Sequence, residues 1–243
     1  MLCLGLLARA AAAQTADDIL ARHFEAIGGL DKIRAIKTLR TTGVMRLETG
    51  EDVPYVTEKA RPNLMRSEFR YKGITNLQGF DGRTAWSFMP PQDKQATAIT
   101  DPNDVKVISV DADFDGPLLD WRSKGHKIER IKDGSVNGQA VYKLRVTLST
   151  TKVDIYFIDM KTYMVVGSKS RFMYGSTPIY TERAVSDYRK VDGVLFPYTA
   201  SETRSDATRP KTVQITKIEV NPPIAPSRFA LPASTPAKAA SPH

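Results

Sequence analysis

From Thr38 onward the chain alternates in hydropathy with a period of two, and short turn-forming groups cut the alternation at regular intervals. Leu39, Thr41, Gly43, Met45 and Leu47 fall on one side of the first such run. Thr38, Arg40, Thr42, Val44 and Arg46 fall on the other, as in a strand wetted on one face. Similar runs near 52–60, 63–72, 74–80 and 83–89 are divided by Gly50, Pro62, Gly73 and Asp81-Gly82. After a break the rhythm resumes near 126–136, 139–149, 152–158, 163–173, 178–190, 194–204 and 211–220. Asn137-Gly138, Ser149-Thr150-Thr151, Asp159, Gly175 and Asp192-Gly193 supply the connections. Connections this short pair successive strands as antiparallel neighbours. A meander of about eleven strands is too wide to stay flat, so it must twist, curl or close part of the way to a barrel. The expected class is α+β, mainly β.

A chain of 243 residues is within reach of one large β-rich domain. Before the first strand the spacing predicts a helix. Thr15 with Asp18 resembles a capping box, Ile19, Leu20, His23, Phe24 and Ile27 form one stripe, and Gly28-Gly29 ends it. A short turn follows, capped by Asp31 and carrying Ile33 and Ile36. The break in the strand rhythm, residues 101–125, has helix-starting residues at Pro102 and Asn103-Asp104. It also has an apolar cluster of Phe114, Leu118, Leu119 and Trp121, and is expected to lie as helical or irregular cover across one face of the sheet. Residues 1–14 have a short apolar run followed by small residues, the order of a signal peptide, which predicts export. Residues 233–243 read as a disordered Pro/Ala tail, leaving 15–232 as the folded domain.

The only cysteine, Cys3, lies in the expected leader, so the domain has no disulfide, thiolate metal site or cysteine nucleophile. His23 and His126 sit within regular structure and read as structural, and His243 is terminal. Asp111-Ala112-Asp113-Phe114-Asp115-Gly116 matches the first half of a calcium loop. Arg122 stands where the bidentate Glu is required, which argues against that site. Asp113, Asp115 and Asp120 could serve a hydrolase as paired carboxylates, but no nucleophile elbow, phosphate loop or dinucleotide fingerprint accompanies them. No catalytic residue, metal or cofactor is assigned. The net charge of +8 favours acidic partners, yet Lys and Arg are scattered along the strands without the dense basic and aromatic blocks of a nucleic-acid surface. Met65, Phe69, Trp86, Phe88, Phe114, Leu118, Leu119 and Trp121 are candidates for an apolar cavity, the same residue types being equally at home in a core.

Several stretches, in this order and spacing, resemble the outer-membrane lipoprotein-sorting family with the LolA/LolB-like fold. They are Ile27-Gly28-Gly29-Leu30, Lys37-Thr38-Leu39, Phe80-Asp81-Gly82-Arg83-Thr84-Ala85-Trp86 and Tyr156-Phe157-Ile158-Asp159. With them go Tyr188-Arg189-Lys190-Val191-Asp192-Gly193-Val194-Leu195-Phe196-Pro197 and Phe229-Ala230-Leu231-Pro232. The resemblance spans about residues 16–232 and implies an unclosed half-barrel with helices over its concave side, around an apolar cavity for acyl chains. It implies a non-catalytic, cofactor-free, exported periplasmic carrier, taken as a monomer, whose partners are lipid or lipoprotein acyl chains and, transiently, an anionic membrane surface or an envelope protein. The alternative on the same scaffold is an envelope sensor or protein-interaction module.

Overall fold

The computed structural model describes residues 14–149, 152–174 and 177–232; the expected leader, apart from Gln14, and the expected tail lie outside the described residues. The first helix, α1 (Ala16–Ala26), starts at the predicted box: the Asp18 amide donates to Thr15 Oγ1 at 3.2 Å and the Thr15 amide to Asp18 Oδ2 at 2.9 Å. Gly28 and Gly29 then turn the chain at φ of 132° and 93° into the short α2 (Leu30–Ala35).

Strands follow as β1 (Thr38–Arg46), β2 (Asp52–Ala60), β3 (Leu64–Tyr71), β4 (Ile74–Phe80), β5 (Ala85–Phe88) and β6 (Thr97–Ala98). Helix α3 (Pro102–Ala112) and a run of turns to residue 125 interrupt them. The series resumes with β7 (Lys127–Val136), β8 (Gln139–Ser149), β9 (Lys152–Asp159), β10 (Val165–Tyr174), β11 (Thr177–Val191), β12 (Val194–Arg204) and β13 (Lys211–Val220). Among the described residues the thirteen strands exceed the expected eleven or so partly because β6, at two residues, is too short to show a period. Lys72-Gly73, Asn137-Gly138 and Asp192-Gly193 each hold two consecutive residues at positive φ, the backbone a two-residue hairpin turn demands.

All thirteen strands form one antiparallel sheet in the order β6-β5-β4-β3-β2-β1-β13-β12-β11-β10-β9-β8-β7. The chain therefore begins in the middle of the sheet, meanders out to the β6 edge, crosses through α3 to the β7 edge, and meanders back until β13 lies beside β1. The crossover accounts for the curvature. Helix α3 contacts β3, β4 and β5, and also β10, six strands beyond β3. Six strand spacings span roughly 29 Å on a flat sheet, whereas a helix is about 10 Å across, so the sheet has to curl round α3.

Three apolar clusters hold this arrangement. On the concave face Ile19 and Leu20 of α1 pack with Leu118 against Ile128, Leu144, Val146 and Ile158 of β7–β9. Ile108 and Ala112 of α3 pack on Met65, Phe80 and Ala85. On the convex face Leu77, Trp86, Phe88 and Ala96 lie beneath Leu231 of the C-terminal strap, and the Trp86 indole N–H donates to the Phe229 carbonyl at 2.8 Å. Arg228 of the same strap reaches Glu58 at 2.8 Å, so a carboxylate almost without solvent contact gains a partner beyond Arg40 and Arg66.

One seam in the sheet is incomplete. The β12–β13 ladder runs only from Thr199↔Gln214 to Glu202↔Lys211, leaving 194–198 without partners on β13. The α1–α2 turn fills the gap: the Leu195 amide donates to the Ile27 carbonyl at 2.8 Å, and a Cβ on Gly28 would stand 2.5 Å from the Gly193 oxygen. Only glycine permits that approach.

Candidate binding site

The unpaired end of β12 opens a cleft of about 320 Å³ against the helices. Phe24 and Ile27 border it from α1 and its turn, Ile33 and Ile36 from α2, Leu39 from β1, and Val194, Leu195 and Phe196 from β12. The crossover segment from Phe114 to Leu119 completes the lining. Most of these groups are aliphatic or aromatic, and the volume is that of a small-molecule pocket.

Arg61 holds the mouth together. Its Nε and Nη2 donate to the Ile36 and Ile33 carbonyls at 2.5 and 2.8 Å, Nη1 is paired with Asp115, and the guanidinium lies 4.5 Å from the centre of the Phe114 ring. One side chain thus ties the last carbonyls of α2 to the crossover segment, satisfying orphan helix-end acceptors. His23, also on the lining, presents Nδ1 at 2.8 Å from the Tyr163 carbonyl, and burial pushes its pKa down.

Beside the cleft the concave face changes character. Register places Tyr156, Ser168, Arg183, Glu202 and Lys211 in one row across β9–β13, on the face that α1 covers at Tyr156. From the other half of the sheet Lys59, in the row of Met65 and Leu39, turns inward and donates to the backbone carbonyl of Asp111 at the end of α3. The Asp111 carboxyl is pushed up by desolvation, against the pull of Lys152, Lys59 and Arg183 and with the help of Glu202. Desolvation likewise pushes Lys59 down and Asp154 and Tyr156 up. Asp111 and Arg183 nevertheless keep much of their surface open to water. Side chains from β2, α3 and β11 thus meet over the concave face where water still reaches them. Asp154 is 5% exposed, and its Oδ1 has no hydrogen-bond partner.

Of the residues expected along a cavity, Phe114, Leu118 and Leu119 line the cleft. Trp121 packs beside the α1 cluster with the Arg122 guanidinium 4.0 Å from its ring centre. Met65 is packed under α3, and Phe69 lies four residues further along β3 on the same face. Trp86 and Phe88 are on the opposite face, because β5 pairs Trp86 with Gly79 and Phe88 with Leu77, neighbours of opposite parity to Phe80. The acidic triplet is dispersed among cations: Asp113 pairs with Lys124, Asp115 with Arg61 and Asp120 with Arg34. His126 approaches the Pro117 carbonyl at 3.2 Å, a structural contact. Sequence reasoning passed over Ile27, Ile33 and Leu39 as cleft residues, since an apolar stripe looks the same whether or not space is left beneath it. It also passed over the inward charges, though a signal was present: Lys59 and Arg183 share the parity of Met65 and Val185.

No protein-family model matches the chain, and no curated protein matches it. Solved structures do. A DUF1329 family protein from Desulfovibrio piger superposes with a TM-score of 0.63 at 10% identity, covering 90% of this chain and 98% of that one. A LolA superfamily protein from Nitrosomonas europaea gives 0.58 at 12%, covering 90% and 98%. An outer membrane lipoprotein-sorting protein domain from Vibrio parahaemolyticus gives 0.57 at 11%, covering 87% and 94%. At such identity the likeness is one of fold: a mainly β, LolA-like unclosed sheet with helices over one face. Among the described residues no helix is long and apolar enough to cross a membrane.

Proposed function

We propose that the protein is an exported, non-catalytic carrier that shelters acyl chains of a lipid or lipoprotein in the cleft between α1, α2, the crossover segment and β12. The observation that supports this most directly is the apolar lining at a place where the sheet is left unpaired. Each CH₂ withdrawn from water contributes about 0.8 kcal/mol, so an alkyl chain is held with no reactive group at all. The kinship of fold with lipoprotein-sorting proteins agrees with this reading, and so does the dispersal of the acidic triplet among basic partners. Phe114, Leu118 and Leu119 are the contacts we assign from the crossover segment, and Ile27, Ile33, Leu39 and Phe196 those from the framework.

Native mass spectrometry of protein taken from an envelope fraction is the test. Retained lipid is expected on the wild type and is expected to disappear from Ile33→Trp and Leu39→Trp variants, whose larger side chains fill the cleft. Wild-type protein that carries no lipid and takes up none from vesicles would overturn the carrier reading.

A further inference from the structure

Beyond the bond that Lys59 gives the end of α3, the charged band on the concave face costs the fold more than apolar side chains would. Leu39 and Met65 show what the row of Lys59 accepts, and an apolar side chain there would avoid the desolvation that burying charge entails. Asp111 is in the last turn of α3, where the helix dipole already concentrates negative charge and the helix itself carries no basic side chain, the offset coming from Lys59 on β2. Positions that oppose local preference in this way point to a ligand.

We propose that Lys59, Lys152, Arg183 and the hydroxyls of Ser168 and Ser170 form a seat for the anionic headgroup, a carboxylate or phosphate, of an amphiphile whose alkyl chain lies in the neighbouring cleft. Arg183 makes no hydrogen bond or ion pair among the described residues, and a guanidinium fork is suited to two oxygens of one oxyanion. Register brings Ser168 between Arg183 and Tyr156, and Ser170 opposite Asp154. The sign of the seat follows from its surroundings. Lys59, Lys152, Arg183 and Lys211 outnumber Asp111, Asp154 and Glu202 on this face, and desolvation weakens the acidic side by raising Asp111 and Asp154 while it also lowers Lys59. Tyr156 joins the two regions, because it lines the apolar cleft and also feels Asp154, Arg183 and Asp111. An apolar cleft beside a cationic seat, with Tyr156 between them, suits one kind of occupant, a chain with an acidic end.

This inference rests on the carrier reading and is tested so that the two can fail separately. Delipidated protein is titrated, below micelle formation, with hexadecanoate, hexadecyl phosphate, hexadecanol and hexadecyltrimethylammonium, by displacement of a fluorescent fatty-acid probe and by direct calorimetry. The two anions are expected to bind at least about tenfold tighter than the alcohol, and the cation more weakly still. Arg183→Gln, at an exposed position, should remove most of that advantage while leaving hexadecanol affinity unchanged, and Lys152→Gln on β9 is a second, independent variant expected to do the same. Equal affinity for anion and alcohol in the wild type, or an unchanged preference in both variants, would overturn the seat and leave the carrier standing. Tight binding of inorganic phosphate or acetate alone would overturn it in favour of a free-anion site. No binding by any chain would remove both readings.

Discussion

Arg61 shows how much one side chain can organise at the mouth of the cleft. It satisfies two carbonyls at the end of α2 and neutralises Asp115, and both ion-pair partners are largely buried at 18% and 17% side-chain exposure. Removing one member of such a pair strands the other, so Arg61→Met is expected to lower stability by about 3 kcal/mol. Adding Asp115→Asn should restore part of the loss, and urea midpoints of the two variants check both statements. His23 gives a prediction in pH. Burial holds its folded pKa below the ordinary imidazole value of 6.5, so the unfolded chain takes up the proton first. Its contribution is therefore complete above about pH 6.5 and is lost as the pH falls from there toward the depressed value. Denaturation curves at pH 7.5 and pH 5 should show a steeper loss for wild type than for His23→Gln; equal slopes would show that His23 does not couple to folding.

Among the elements, the C-terminal strap does most to explain why some sequence candidates are absent from the cleft. Trp86 is fully buried because Phe229 accepts its N–H and Leu231 covers its cluster from outside the sheet. A chain ended after Asn221, in a Trp121→Phe background that leaves Trp86 as the only indole, should show red-shifted tryptophan emission. It should also unfold at lower denaturant, by about 3 kcal/mol for the exposed aromatic cluster. Emission unchanged from the full chain would mean that the strap does not shield the indole. The capping box of α1 and the hairpin turns were legible in the sequence because a few neighbouring residues determine them. The face on which each aromatic residue lands was not. It depends on strand register, and a shift of one residue exchanges the two faces.

For the whole molecule the consequential feature is the closure of a long meander upon its own beginning, β13 against β1, with a neighbouring seam left half made. The Leu195 amide has only the Ile27 carbonyl, whereas the amides around Thr199–Glu202 belong to a regular ladder. Hydrogen exchange at Leu195 should therefore be faster by about a hundredfold or more than at the ladder, and it should slow when an alkyl ligand fills the cleft beneath. Exchange at Leu195 as slow as in the ladder, or indifferent to ligand, would show that the seam is closed and plays no part in binding.

The sequence by itself determined the local grammar of this protein: alternating strands, left-handed turns at Asn137-Gly138 and Asp192-Gly193, a capped opening helix, and a break in the rhythm that had to cross the sheet. These follow from interactions between residues a few positions apart. Tertiary structure alone decided that the sheet curls round α3, that β12 parts from β13, and that Lys59 and Arg183 from distant strands share its concave face. Empty space and the meeting of charges across a curved sheet are properties of how strands far apart in the chain are brought together, and no local pattern encodes them.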